Sequence, residues 1–462
     1  MSHDVIVVGG GPGGYVAAIR AAQLGGKVAI IEQNELGGVC LNQGCIPTKT
    51  LLTCAEKWRD LQNCANYGLK AENIYLDYSQ VLARKSKVVL QLRSGVEQLI
   101  KSNGIEVLYG QARLQADGSL LVTGEANEVR VEGRAVIMAT GSSPADLTIP
   151  GGELPAVINS DQLLALSQLP RSLAVIGAGA VGIEFASIFQ AFGVQVTVIE
   201  MLPTILPNLD SDIIKRAGLA LRKQGLSIMT NAKVTNIQQN EQGLKLTVDN
   251  GKELTELVVE KVLKATGRCP NIAQLGLEAA GVTCDRQGIP VNGRMETNVP
   301  GLYAVGDVTG RFMWAHAASS AGMIAAENAM GGNAVFDDRA VPGSIFITPE
   351  IAGVGLTEQE AGPNICVSRF NFAANGKAVS MGNSDGLVKI IADAEDHRVL
   401  GMHIVGPHAS DLILEGGLAI RNRLTANDIA RTIHPHPTLS EAVMEAAQGI
   451  GSTSIHQVRV SG

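Results

Sequence analysis

The chain has 462 residues, which is long enough for several domains. Its formal net charge of -7 argues against non-specific binding to nucleic acid, since such binding depends on clustered basic residues. No apolar run is long enough to cross a membrane, so we expect no membrane span.

The amino-terminal segment has the pattern of a nucleotide-binding unit. Residues 5–8 form a β-branched run, which predicts a buried strand, and a glycine-rich turn follows at residues 9–14. An Ala-rich stretch then predicts a helix to about Leu24, and residues 28–31 predict a second strand that ends at Glu32. Because the chain enters the first strand almost at once, we expect no signal or transit peptide.

Three glycines of this turn have expected roles. Gly9 permits the tight turn, Gly11 lets the backbone approach a pyrophosphate, and Gly14 lets the helix pack against the strand. The phosphates then lie at the helix N-terminus, and Glu32 accepts hydrogen bonds from ribose hydroxyls. The alternative is a strand-to-helix turn without a ligand.

Two cysteines, Cys40 and Cys45, follow this unit within residues 37–49. Residues five apart in a regular helix have Cα atoms about 8–9 Å apart, whereas a disulfide needs about 4.4–6.8 Å. A bonded pair therefore excludes a uniform helix, and Asn42 and Gly44 tolerate the irregular backbone that the bond requires. A bridge over so short a loop favours a redox role, with two buried thiols or a metal site as alternatives.

The nucleotide-binding pattern recurs in the middle of the chain. Residues 173–176 predict a strand, residues 183–192 a helix and residues 196–199 a second strand, which ends at Glu200. The glycines of the second turn are Gly177, Gly179 and Gly182. Two complete units are stronger evidence for nucleotide binding than one.

The acidic residue of the second unit predicts which nucleotide binds there. A carboxylate at Glu200 pairs with a free 2′-hydroxyl and repels a 2′-phosphate, and no basic residue follows it before Lys215. NAD is therefore favoured over NADP. Glu184, near the helix start, is either a partner of the helix dipole or a residue that faces the nicotinamide or a flavin.

The remaining segments predict hinges and a separate carboxyl-terminal domain. Strands that end in turns near residues 139–144 and 265–270 flank the second unit like hinges. An Ala-rich helix is expected near residues 317–330. After Pro342 predicted strands and helices alternate in the pattern of a separate α+β domain. The strands predicted there are residues 344–347, 387–391 and 399–405, and the helices are residues 411–422 and 439–447.

Two histidines near the carboxyl terminus form a candidate proton-transfer site. His434 and His436 alternate with prolines, and Glu441 follows at the start of a predicted helix. A histidine oriented by a carboxylate is a general acid/base near neutral pH. The alternative is a pair of surface histidines, and the local pattern does not distinguish His434 from His436.

These motifs together resemble the FAD-dependent pyridine nucleotide–disulfide oxidoreductases, most closely the members that oxidise dihydrolipoamide. The resemblance covers essentially the whole chain, and it implies an α/β fold with two Rossmann-like nucleotide-binding domains plus a C-terminal α+β dimerisation domain. The implied boundaries are 1–145 and 270–338 for the two parts of the FAD-binding domain, 146–269 for the NAD-binding domain and 339–462 for the dimerisation/interface domain.

The resemblance also implies the site residues, and no metal is among the groups they bind. For FAD they are Gly9, Gly11, Gly14, Glu32, Lys49, Ala112, Gly141, Asp307 and Ala315. For NAD they are Gly177, Gly179, Gly182, Glu184, Glu200, Val234 and Gly267. The catalytic residues are Cys40, Cys45, His436 and Glu441. Cys45 faces the flavin, Cys40 exchanges with substrate, Lys49 pairs with Glu184, and the His436–Glu441 pair comes from the other subunit of a homodimer.

The implied reaction is oxidation of protein-bound dihydrolipoamide to lipoamide with reduction of NAD⁺, so the implied partner is a lipoyl-bearing protein of a 2-oxo acid dehydrogenase or glycine cleavage system. Seven scattered cysteines favour a reducing, cytoplasmic compartment. Glutathione-type reductases, mercuric reductases, soluble transhydrogenases and a non-catalytic redox sensor are the alternatives. Val39 and Gln43 replace the Thr and Val that the resembling proteins usually carry, a difference that bears on substrate choice.

Overall fold

The computed structural model describes residues 2–125 and 127–458. The strands are β1 (Ser2–Val8), β2 (Val28–Glu32), β3 (Glu106–Tyr109), β4 (Gln111–Leu114), β5 (Leu120–Thr123), β6 (Glu128–Met138), β7 (Ser142–Pro144), β8 (Val157–Ile158), β9 (Ser172–Ile176), β10 (Gln195–Ile199), β11 (Ser227–Met229), β12 (Lys233–Asn240), β13 (Gly243–Asp249), β14 (Leu254–Val259), β15 (Lys261–Lys264), β16 (Arg268–Pro270), β17 (Leu302–Ala304), β18 (Gly343–Ile345), β19 (Glu350–Gly355), β20 (Ile365–Asn371), β21 (Leu387–Asp393) and β22 (Val399–Gly406).

The helices alternate with these strands through most of the chain. They are α1 (Pro12–Gln23), α2 (Gly38–Gln43), α3 (Cys45–Gln62), α4 (Tyr78–Ser102), α5 (Ser160–Leu164), α6 (Ala180–Ala191), α7 (Ser211–Lys223), α8 (Ala315–Ala329), α9 (Glu358–Ala361), α10 (Gly376–Ser380), α11 (Ala409–Asn422), α12 (Ala426–Arg431) and α13 (Glu441–Gln448). Short 3₁₀ helices occur at Cys64–Tyr67, Gly306–Thr309, Asp338–Ala340 and Phe372–Ala374.

The first sheet has the strand order β3-β2-β1-β6-β5-β4, and β17 pairs with β6 on its other side. Strands β3, β2, β1, β6 and β17 run parallel, whereas β4 and β5 add an antiparallel extension. The central strands are apolar and buried over residues 5–8 of β1 and 28–31 of β2, and α1 and α8 pack together over one face of the sheet. The predicted strand, helix and strand of the first unit are confirmed as β1, α1 and β2.

The second sheet repeats this arrangement with the parallel order β11-β10-β9-β15-β8. The predicted second unit is confirmed as β9, α6 and β10. A separate antiparallel sheet, β12-β13-β14, packs its apolar side against the same core. The two segments predicted as hinges pair with each other, because β7 and β16 form a two-stranded antiparallel ribbon.

The carboxyl-terminal part is an antiparallel sheet of order β18-β19-β22-β21-β20, with α11 and α13 packed against it. The sequence predicts β18, β21, β22, α11 and α13, but β18 ends earlier than expected, and β19, β20 and the long helix α4 are not predicted. Across the described ranges, no helix combines the length and apolar character needed to cross a bilayer.

Candidate active site

Contacts within the fold require two glycines in each turn. They are Gly9 and Gly14 in the first turn and Gly177 and Gly182 in the second. A side chain at Gly9 would place its Cβ 2.3 Å from the Ala139 carbonyl oxygen, and one at Gly14 would lie 1.8 Å from the Gly9 oxygen. The equivalent distances are 2.4 Å at Gly177 and 2.1 Å at Gly182. Gly9 and Gly177 also have φ values of +102° and +101°. These four glycines therefore fix the tight turn and the close packing of helix on strand.

The middle glycines face open space instead. A Cβ at Gly179 would meet nothing within 4 Å, and one at Gly11 would meet only the Gly38 Cα at 3.8 Å. Both residues precede helices of 12 residues, α1 and α6, whose first N–H groups have no side-chain cap. Space beside free N–H groups at a helix start suits an anionic diphosphate, so both turns fit a dinucleotide.

The acidic residues of the two units occupy equivalent positions. Glu32 accepts hydrogen bonds from the Gly10 N–H at 2.7 Å and the Asn34 N–H at 2.8 Å. Glu200 accepts from the Ala178 N–H at 2.7 Å and the Leu202 N–H at 2.8 Å. Each carboxylate is buried and ties its glycine turn to the strand end, and each oxygen keeps a second lone pair for a ribose hydroxyl.

Cys40 and Cys45 form a disulfide with a Cα–Cα distance of 4.6 Å. Cys40 lies in α2 and Cys45 begins α3, and between them Gly44 leaves the helical conformation with φ −142° and ψ −106°. The expectation that a bonded pair excludes a uniform helix is confirmed, and the bond removes the alternative of two free thiols. Asn42 lies within α2, so the departure from helical backbone occurs at Gly44 and not at Asn42.

Cys45 lies at a helix start, a position that favours a thiolate. It occupies the first position of the 18-residue helix α3, where the free N–H groups and the helix dipole stabilise a thiolate. Lys49, one turn further on, pairs with the buried Glu184 of α6 at 2.8 and 3.1 Å. Glu184 also accepts a hydrogen bond from the Phe346 N–H at 2.9 Å, so it is more than a helix-dipole partner. The disulfide helix is thereby joined to the second unit.

A second set of polar contacts lies at the two-stranded ribbon formed by β7 and β16. The Ser142 hydroxyl donates to Asp307 Oδ2 at 2.5 Å and accepts from Arg268 Nε at 2.7 Å. Ser142 and Arg268 directly follow Gly141 and Gly267, which have φ values of +71° and +116°. No local sequence pattern predicts roles for Ser142 and Arg268, because their contacts with each other and with Asp307 join segments far apart in the chain.

The other predicted cofactor residues lie in regular elements. Ala112 is buried in β4 and Val234 in β12, and Ala315 is the first residue of α8. Of the five cysteines outside the disulfide, Cys269 is exposed and the other four are half-buried. The described part of the chain contains no cluster of His, Cys, Asp and Glu suited to a metal ion.

The structure distinguishes the two histidines. His436 Nδ1 lies 2.9 Å from Glu441 Oε1, and the His436 side chain is 80% exposed in a single subunit. His434 is 5% exposed and contacts Glu415 at 3.2 Å. Burial raises the pKa of the Glu441 carboxyl, but hydrogen bonds from the Thr438 N–H and from His436 outweigh burial and hold the pKa below its ordinary value. His436 is therefore an accessible imidazole oriented by an ionised carboxylate.

Comparisons with known families cover both parts of the chain. Residues 3–322 match the family described as pyridine nucleotide-disulphide oxidoreductase, and residues 341–447 match the dimerisation domain of the same family. Members of this family use FAD and a pyridine nucleotide, which agrees with the fit of both glycine turns. The second match supports a homodimer.

Individual relatives agree with the family match. Dihydrolipoyl dehydrogenase of Thermus scotoductus is 45% identical, with 98% of this chain and 99% of that protein covered. The protein of the same name from Bacillus subtilis is 41% identical, with 98% and 99% covered. Among solved structures, LpdA of Mycobacterium tuberculosis has a TM-score of 0.90 at 28% identity, and the HOCl-induced flavoprotein disulfide reductase of Escherichia coli, as a Cu(II) complex, has 0.87 at 31% identity. The alignment with LpdA covers 96% of this chain and 99% of LpdA. The alignment with the Escherichia coli reductase covers 97% of this chain and 99% of the reductase. The chain therefore belongs to the pyridine nucleotide–disulphide oxidoreductase family.

Proposed function

We propose that this chain oxidises protein-bound dihydrolipoamide to lipoamide and transfers the two electrons to NAD⁺. The observation that carries the proposal is the Cys40–Cys45 disulfide at the start of α3, which Lys49 and Glu184 join to the second nucleotide unit. A half-buried disulfide in this position can exchange with a dithiol on one side and with a cofactor on the other.

The proposed cofactor sites follow from the two turns. FAD is held by the first unit through Gly9, Gly11, Gly14 and Glu32, together with Lys49, Ala112, Gly141, Asp307 and Ala315. NAD is held by the second unit through Gly177, Gly179, Gly182, Glu184, Glu200, Val234 and Gly267. When bound, the flavin supplies the two-electron chemistry that connects a thiolate with a nicotinamide.

His436 is the proposed general base. It takes a proton from a dithiol of the substrate, and Glu441 keeps the imidazole oriented and stabilises its protonated form. Because the His436 side chain is largely exposed in one subunit, it is available to a disulfide on a second subunit. A homodimer then contains two sites, each built from both chains.

The cysteines divide the exchange between them. The substrate thiolate attacks the Cys40 sulfur, the Cys40–Cys45 bond breaks, and the electron pair of that bond leaves on Cys45. The helix N-terminus favours the negative charge on Cys45. The second substrate thiol then attacks the mixed disulfide, which releases cyclic lipoamide and leaves both enzyme cysteines reduced. Two electrons have passed from substrate to enzyme.

The proposed reaction also leads to proposals for the partner, the location and the domain boundaries of the chain. We propose that the substrate arrives on a lipoyl-bearing protein of a 2-oxo acid dehydrogenase or glycine cleavage system. We propose a cytoplasmic location from the scattered, unbonded cysteines. The proposed domain boundaries remain 1–145, 146–269, 270–338 and 339–462.

The test is reduction of lipoamide and of glutathione disulfide by the purified protein, with NADH and NADPH in parallel. We expect rapid turnover of lipoamide with NADH, slow turnover with NADPH, and loss of turnover in Cys40→Ser and Cys45→Ser. A protein that reduces glutathione disulfide faster than lipoamide would contradict the proposed substrate. Failure of NADH to reduce the Cys40–Cys45 bond would contradict the whole proposal.

A further inference from the structure

Asn42 lies between the two cysteines, and its side chain joins three segments. The Nδ2 group donates to the Gly38 carbonyl at 3.0 Å and to the Leu36 carbonyl at 3.1 Å. The Oδ1 atom accepts from Arg93 Nε at 3.0 Å. One carboxamide therefore connects the cysteine segment to the loop before α2 and to helix α4.

Helix α2, which carries Cys40, has little support of its own. It spans six residues, begins after Gly37 in a left-handed conformation, and has no side-chain cap. A helix this short is unstable in isolation, so its position depends on contacts with the rest of the protein. Arg93 belongs to the 25-residue helix α4 and also pairs with Glu35 at 2.9 Å. The Asn42–Arg93 link, defined by these two side chains, therefore attaches α2 to a stable element.

The link matters most after the disulfide is reduced. While the Cys40–Cys45 bond is intact, the bond itself holds α2 against α3. After reduction this constraint is absent, and the separation of the two sulfurs depends on the remaining contacts of α2. The equilibrium constant for closing the bond rises with the effective concentration of one sulfur near the other. Contacts that keep α2 in place therefore favour the closed disulfide.

We propose that Asn42 is a positioning residue that sets the reduction potential of the Cys40–Cys45 pair. It acts by holding α2 in the disulfide-competent position after reduction. The inference rests on the proposed function only in taking this disulfide as the redox centre. Asn42 acts on the redox pair through the position of Cys40 in α2.

The test is a redox titration of the flavin-loaded protein in anaerobic dithiothreitol buffers, with alkylation and mass measurement of the Cys40–Cys45 state. We expect Asn42→Ala to change the equilibrium constant for reduction of the disulfide about tenfold towards the dithiol. For a two-electron couple this raises the midpoint potential by about 30 mV. The matched control is Asn63→Ala. Asn63 is exposed and donates to the Arg59 carbonyl at 2.8 Å at the far end of α3. We expect the control to titrate like the parent protein.

A second variant keeps the proposal testable if Asn42→Ala does not fold. Arg93→Gln removes the other end of the link from the surface of a long helix, and we expect a shift in the same direction. In the double variant the two shifts should be less than additive, because both remove one link. Midpoints that equal the parent's in both single variants would overturn the inference. The titration needs no NADH, so this result is separate from a failure of NADH to reduce the parent disulfide.

Discussion

At the scale of single residues, Glu200 and Glu32 have the same internal contacts but different proposed ligands. Each accepts two backbone N–H groups of its own unit, at 2.7 and 2.8 Å. Removing the charge of either carboxylate should therefore cost the protein a similar amount of stability. A difference in cofactor binding between Glu32→Gln and Glu200→Gln then reports on the ligand of each unit. This equivalence gives each residue a matched control in the other unit.

We expect Glu200→Gln to reduce the preference for NADH over NADPH. The variant loses one charge-assisted hydrogen bond to the ribose and the repulsion of a 2′-phosphate, which we expect to lower the ratio of the two kcat/KM values by about tenfold. Steady-state kinetics with both nucleotides measures the ratio. Glu32→Gln makes the same change in the first unit and should leave the ratio unaltered, although it weakens flavin retention. An unchanged ratio in Glu200→Gln would contradict the role given to this carboxylate.

At the scale of elements, the twin units were predictable because their signals are local. A buried strand, three glycines at fixed spacing and an acidic strand end all lie within about 30 residues, the length of a βαβ unit. Features that depend on distant partners were not predictable. The Asn42 side chain accepts a hydrogen bond from Arg93, 51 positions away. Lys389 lies in the apolar strand β21, and its partner Asp210 is 179 positions away.

The glycines of one turn give a prediction that separates ligand binding from folding. Gly179 has φ −73° and open space where a Cβ would point, so Gly179→Ala should fold normally but crowd the nucleotide diphosphate. We expect the KM for NADH to rise at least about tenfold, since one lost charged contact is worth about 1.5–3 kcal/mol. Melting temperature and flavin content should match the parent protein.

The control is Gly182→Ala in the same turn. Its Cβ would lie 2.1 Å from the Gly177 oxygen, so the helix must shift, and overpacking of this kind costs about 1–3 kcal/mol or more. We expect a lower melting temperature. If Gly179→Ala lowered the melting temperature as much as Gly182→Ala, the open space at Gly179 would have a structural rather than a ligand-binding purpose.

At the scale of the whole molecule, a buried ionic cluster joins the second nucleotide unit to the carboxyl-terminal sheet. Lys389 of β21 is 0% exposed and contacts Asp210 at 2.8 Å, Asp212 at 2.7 Å and Glu358 at 2.5 Å. Arg369 completes the cluster through Asp212 and Glu358. Because Asp210 and Asp212 lie at the start of α7, the cluster fixes this helix against the sheet.

We expect Lys389→Met to destabilise the protein by about 3–5 kcal/mol, because it leaves the fully buried Asp210 carboxylate without its partner. Chemical unfolding followed by fluorescence and by flavin release measures the effect. Adding Asp210→Asn should restore part of the stability, since it removes the unpaired charge. A double variant less stable than Lys389→Met would show that the hydrogen bonds of Asp210 within α7 matter more than its charge.

The same cluster predicts a dependence on pH. Burial raises the pKa of Asp212, but hydrogen bonds from Lys389 and Arg369 outweigh it and hold the pKa below its ordinary value. This contribution to stability is present above the unfolded-state pKa of about 3.9 and is lost as pH falls through the lower folded-state pKa. Lys389→Met removes one of these donors, so its acid unfolding should begin at a higher pH. Coincident acid-unfolding curves for the two proteins would contradict the pairing.

The proposed sharing of each site between subunits predicts the activity of mixed dimers. Cys45→Ser and His436→Gln should each be nearly inactive as homodimers, the latter by about 10²–10⁴-fold for a lost general base. In a heterodimer of the two variants, one site combines the intact Cys45 of one chain with the intact His436 of the other. The second site carries both substitutions. We therefore expect about half of the parent activity, as a two-fold symmetric interface requires.

Purification through two different affinity tags isolates the heterodimer. Activity as low as that of either homodimer would show that His436 serves the disulfide of its own chain, and the exposed position of its side chain would then need another explanation.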